Sequence, residues 1–268
     1  MLNSSEPSDY VITILFNTLD PLEQFKIQEI ISLYIYIVNN MKLSITNLSL
    51  YLCIATLIIT NIDLFVSNNE KTVSNKFIVW QDSIYHTVYN IVVNQIDKKK
   101  GRFYFPMLYC LFVFILINNL FGMIPYSFAT TSHFILAFFL SFSVVIGATI
   151  LGLEKHGFNF FSLFVPAGCP FGLLPVLVII EFISYIARNV SLGLRLSANI
   201  LSGHMLLSIL SGFTYNLMTS SFFYFLLSLL PLAFVIAFSG LELGIAFIQS
   251  QVFIVLSSSY IKDSLYLH

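Results

Sequence analysis

The chain has 268 residues and a formal net charge of −1, yet only 9% of its residues are charged and 57% are hydrophobic. Soluble domains carry about a quarter charged residues, so a mean hydropathy of +0.88 excludes a soluble globular protein. So sparse a set of charges offers no basic face to nucleic acid; the expected class is an all-α membrane protein.

Residues 1–42 are mixed and acidic, with five Asp and Glu against Lys26 and Lys42. They lack the basic start of a secretory or mitochondrial presequence, so the chain either inserts where it is made or has lost a targeting segment. The first apolar run, 43–66, reaches the length of about 20 residues that a spanning helix needs. Within 75–97, Asp82, His86, Asn90 and Asn94 recur every four residues, opposite Ile78, Tyr85, Val88 and Val92. That spacing predicts an amphipathic helix at the membrane surface, anchored by Trp80, with His86 on the solvated stripe. Further spans are expected at 103–121 and 134–153. The last two runs, 173–211 and 222–261, are longer than a bilayer requires. At 1.5 Å per residue the first is about 58 Å long, about twice the hydrocarbon thickness. The pair is expected to form a hairpin of long, strongly tilted helices, joined by a loop at 212–221 and kinked at Pro231. The expected architecture is thus about five transmembrane helices plus one interfacial helix.

Lys71, Lys76, Lys98, Lys99, Lys100 and Arg102 lie between the first two spans, while 122–132 and 212–221 contain no Lys or Arg. By the positive-inside rule, segment 67–102 faces the compartment of synthesis. Five spans then put 1–42 outside, with the EKH loop at 154–156 and the tail 262–268 inside. Cys53, Cys110 and Cys169 have no CxxC spacing or histidine at ligand distance along the chain. They read as apolar filler, and no metal or cofactor is expected.

The last two runs carry Glu181, Arg188, Arg195, His204 and Glu242. A charge at mid-membrane costs about 2.5–3.5 kcal/mol on insertion scales, so such residues are functional suspects, the alternative being pairs that fix helix register. Glu181, Arg188 and Arg195 are seven apart and form one stripe, which Asn199 extends. His204 lies nine residues beyond Arg195 and points the other way. Glu242 and Gln249 share a face, and Gly240 and Gly244 form a GxxxG spacing that admits close backbone approach. Two polar faces at different depths, with an arginine between them, describe two half-pores separated by a fixed cation. Guanidinium stays protonated and cannot relay protons, whereas His204 and Glu242 can exchange them.

The segments SLGLRLSANILSGH (191–204) and LELGIAFIQSQVF (241–253) closely resemble subunit a of the F-type ATP synthase. PLEQF, GMIPYSF, TSHF, EFISYIARNVSLG and YIKDSLYLH extend the resemblance from about residue 20 to the end. The wording is nearest to mitochondrially encoded chains of plants, algae and protists. His204 with Glu242 is similar to the mitochondrial pattern; bacterial relatives tend to carry a carboxylate first and histidine second. Gln251 departs from the pattern, standing where the family commonly has tyrosine.

The resemblance implies a proton-translocating stator of the mitochondrial inner membrane, not catalytic by itself, lying beside a c-ring with peripheral-stalk and other membrane-sector subunits. It matches Arg195 to the family's essential arginine, Asn199 and Gln249 to its polar neighbours, His204 and Glu242 to the half-channel open to the intermembrane space, and Glu181 to the matrix exit. A secondary transporter would show two related halves, and none is visible. A membrane enzyme would need a nucleophile–base set; Ser257, Ser258 and Ser259 have no histidine at motif spacing. A flagellar-type stator would need a large soluble domain.

Overall fold

The computed structural model describes residues 25–35, 41–67, 76–124, 127–165, 172–220 and 222–266. Residues 1–24, Lys71 and Cys169 lie outside the described residues.

The described residues open with two antiparallel strands, β1 (Glu29–Ile35) and β2 (Met41–Thr46), pairing Leu33 with Leu43 and Ile35 with Met41. No strand was expected here. The run EIISLYI is rich in isoleucine, which suits a pleated strand, and it displaces the first span's start from 43 to 47. Helix α1 (Asn47–Ser67) begins there because Thr46 and Ser49 cap it reciprocally. Thr46 N donates to Ser49 Oγ at 3.1 Å and Ser49 N to Thr46 Oγ1 at 3.5 Å.

Helix α2 (Lys76–Gln95) behaves as its spacing predicts. Ile84, Val88 and Val92, with Ile96 just beyond the helix, are buried at four-residue intervals, while Asp82, His86, Asn90 and Asn94 are exposed. Tyr85 corrects the expected apolar face: it is exposed, its ring meeting Phe105 edge-on at 4.8 Å. Helix α3 (Lys98–Gly122) follows, then a short 3-10 turn at Thr130–Ser132 and helix α4 (Phe134–His156).

Helices α5 (Leu174–Ser220) and α6 (Phe222–Leu265) hold 47 and 44 residues, about 70 and 66 Å as straight rods. The loop expected at 212–221 is instead helical to Ser220. Its polar side chains return their hydroxyls to the helix: Thr214 Oγ1 donates to Ser211 O at 2.7 Å and Thr219 Oγ1 to Tyr215 O at 3.2 Å. Polarity at a membrane surface therefore does not break the helix. Helix α6 continues through Pro231. Among the described residues, α1, α3, α4, α5 and α6 are long and apolar enough to cross a membrane.

The core gathers the α2 stripe, Leu108, Phe112 and Ile115 of α3, Val144 of α4, Leu192 and Leu196 of α5, and Phe253 and Ile254 of α6. Helix α1 stands at its edge, with Ala55 as its buried residue. The closest pairing is α5 with α6. Gly193 lets α4 approach α5, since a Cβ there would lie 3.0 Å from Phe138 Cδ1. Gly240 and Gly244, expected to admit another backbone, have no neighbouring atom within 4 Å of such a Cβ among the described residues.

Candidate functional site

Helices α5 and α6 run antiparallel, and their polar side chains meet in consistent register. His204 faces Glu242, Asn199 faces Gln249, Tyr185 meets Tyr260, and Arg188 faces Asp263. From His204 through Asn199 to Arg188 the α5 number falls while the α6 number rises; Tyr185, which meets Tyr260, departs from that order by a few residues. The seven-residue spacing of Glu242 and Gln249 therefore reads out against Asn199 and His204 on the opposing helix.

At one end of this register His204 Nε2 lies 3.7 Å from Glu242 Oε1, with side chains 14% and 4% exposed. The distance exceeds a hydrogen bond. His204 Nε2 and both Glu242 oxygens have no hydrogen-bond partner among the described residues. Both side chains line a cavity of about 880 Å³, whose walls include Lys26, Asn47, Tyr51, Ser127, Ser208 and Ser239. A cavity of this size with polar side chains among its walls is roomy enough for water. Gly203 allows the contact: a Cβ there would come within 2.6 Å of Glu242 Oε1 and 2.9 Å of Cδ.

One turn deeper, Asn199 Nδ2 donates to Gln249 Oε1 at 3.1 Å. Gln249 is buried beside another polar group that the spacing arguments passed over. Asn119 Nδ2 donates to Ala246 O at 3.3 Å, and Thr130 Oγ1 donates to Asn118 Oδ1 at 3.0 Å. Two adjacent asparagines inside an apolar span were the available signal, since buried polar groups demand partners. Gly203 and Phe25, whose ring touches His204 edge-on, carried no comparable signal.

Arg195 points away from the His204 cavity. Its side chain is exposed, Nη2 donates to Ser191 Oγ at 3.4 Å, and Leu192 and Leu196 beside it are fully buried. Arg188 forms an ion pair with Asp263, Nη1 to Oδ2 at 3.7 Å. Glu181 is half-buried seven residues before Arg188. Ser257, Ser258 and Ser259 donate to the carbonyls of Phe253, Val255 and Leu256, so their hydroxyls serve the helix. Among the described residues no cluster of His, Cys, Asp and Glu could hold a metal ion.

A family model described as ATP synthase A chain matches residues 49–262. The chain is 68% identical over 250 residues to the ATP synthase subunit a of Cochliobolus heterostrophus, covering 93% of this chain and 97% of that one. It is 64% identical over 252 residues to that of Trichophyton rubrum, covering 94% and 98%. Against that of Neurospora crassa it is 60% identical over 261 residues, covering 96% and 99%. These relatives are fungal, where the wording of the sequence pointed to plants, algae or protists. The chain therefore belongs to the ATP synthase A chain family and serves as the proton-conducting stator subunit of the F-type ATP synthase membrane sector, a multi-pass protein of the mitochondrial inner membrane.

Proposed function

We propose that His204 and Glu242 form the proton inlet of an outer half-channel and that Arg195 separates it from an inner one. The observation that carries this reading is the pairing of His204 with Glu242 in the wall of the cavity, while Arg195 emerges on another face of α5. In the proposed orientation the cavity opens to the intermembrane space, and the basic segment 67–102 and the 262–268 tail face the matrix. A proton from the cavity is taken up at His204 Nε2 and passed to a Glu242 carboxylate oxygen. Asn199 and Gln249, which cannot titrate, orient the exit of that path toward the partner's carboxylate. The partner is a ring of c subunits turning past the exposed side of α5; peripheral-stalk and other membrane-sector subunits hold the chain still.

Arg195 carries a charge that it does not lose at any relevant pH. It attracts the ionised ring carboxylate and bars direct passage between the two half-channels. Glu181, 14 residues before Arg195 and so about 21 Å away along the helix, receives the proton on the matrix side. Each proton crossing the membrane delivers about 2.3 kcal/mol per 100 mV. The test is proton flux in inner-membrane vesicles from His204→Ala and Glu242→Gln variants. Both are expected to slow flux and change its pH dependence while the complex still assembles. Unchanged flux in both would return the pair to a structural role.

A further inference from the structure

His204 is not enclosed by α5 and α6 alone. Phe25 is 9% exposed and packs with Ala129, Ile200 and Ala246, with Leu201 and Met205 at the edge of the same cluster. Its ring meets the His204 imidazole edge-on, with centroids 6.0 Å apart and planes at 63°. Gly122 backs the imidazole from α3, where a Cβ would lie 3.5 Å from Nε2.

A ring held this deep by a segment preceding β1 needs an anchor, and Asn47 supplies it. Asn47 N donates to Gln28 O at 3.1 Å, Asn47 Nδ2 donates to Lys26 O at 3.1 Å, and Asn47 Oδ1 accepts from Gln28 N at 3.2 Å. Three hydrogen bonds at the start of α1 thus fix the backbone that follows Phe25. Lys26, Gln28 and Asn47 also line the cavity that holds His204 and Glu242. The Phe25 cluster includes Ile200 and Leu201, on the Asn199 side of His204, which is the direction a proton must travel.

We propose that Phe25–Gln28, clamped by Asn47, forms a wall of the proton inlet, with Phe25 as a positioning residue for His204. The ring holds the imidazole toward Glu242 and closes the side of His204 to water, so the polar route onward runs through the pair. This inference rests on the relay role proposed above for His204 and Glu242. Among the described residues, the titratable groups on the cavity walls are Lys26 of the N-terminal segment, Tyr51 of α1, His204 of α5 and Glu242 of α6.

The test uses vesicles carrying the whole ATP synthase. In a His204→Cys background, a small membrane-impermeant maleimide applied from the intermembrane-space side labels residue 204, and the labelled peptide is quantified. Phe25→Ala is expected to raise the labelling rate severalfold, because the ring that covers residue 204 is removed. Asn47→Ala, which cuts the clamp without touching His204, is expected to act alike, and Phe25→Leu to return the rate toward the parent. With His204 in place, Phe25→Ala and Asn47→Ala are expected to move the pH profile of proton flux, and Phe25→Leu to restore it. Unchanged labelling in both the Phe25→Ala and Asn47→Ala proteins overturns the proposal, as does an unmoved pH profile. If labelling rises but His204→Ala leaves flux intact, the relay reading has failed and the positioning role falls with it, a failure distinct from unchanged labelling.

Discussion

Glu242 lies against Gly203 so closely that a single added methyl would place carbon 2.6 Å from Oε1. The carboxylate reaches its position opposite His204 because the residue just before that histidine has no side chain. The polar pair is therefore built on a packing vacancy as much as on two titratable groups.

Gly203→Ala follows from that contact. Overpacking of this kind costs about 1–3 kcal/mol, and the strain is relieved most directly by moving the carboxylate away from His204. Proton flux in vesicles is expected to fall about tenfold, the rate equivalent of roughly 1.4 kcal/mol, with the complex still assembled on native gels. Wild-type flux would show that the carboxylate position does not govern conduction.

The Arg188–Asp263 pair is a different kind of charge. Its side chains are 42% and 35% exposed, and pairs in such settings contribute about 0–1 kcal/mol. Arg188→Gln is expected to lower the complex's thermal dissociation midpoint slightly and to leave the pH dependence of flux unchanged. A shifted pH profile would put Arg188 on the proton path.

His133 precedes α4, outside the spans, and stacks on Phe128 at 5.1 Å. Burial pushes its imidazole below the ordinary histidine value. The folded protein then binds a proton less readily than the unfolded chain, so the stabilisation is present above about pH 6.5 and is lost as pH falls below it. Thermal dissociation measured between pH 7.5 and 5.5 is expected to become easier on acidification, with a smaller slope for His133→Gln. An equal slope in both proteins would contradict this assignment.

The elements legible in the sequence are those whose periodicity one face decides. The stripe of Asp82, His86, Asn90 and Asn94 placed α2, and long apolar runs placed the spans, because a bilayer leaves a helix no competing way to satisfy its backbone. Seven- and nine-residue spacings also separated Arg195 from His204 correctly, since α5 is one uninterrupted helix. The strand pair at 29–46 was missed because isoleucine-rich runs beside a span read equally as helix. The loop at 212–221 was misread because hydroxyls there bond their own helix. Phe25 and Gly203 were invisible for another reason: an apolar ring and a missing side chain matter only through partners more than 30 residues away.

Arg195 is proposed to divide the proton path by holding a charge that cannot be neutralised. The most direct test is Arg195→Lys, which keeps the charge in water but substitutes a compact ammonium able to lose its proton when desolvated. ATP synthesis driven by a proton gradient in inner-membrane vesicles is the measurement. Synthesis is expected to be abolished although the complex assembles with its ring. Synthesis at near-normal rates in this variant would contradict that role for Arg195.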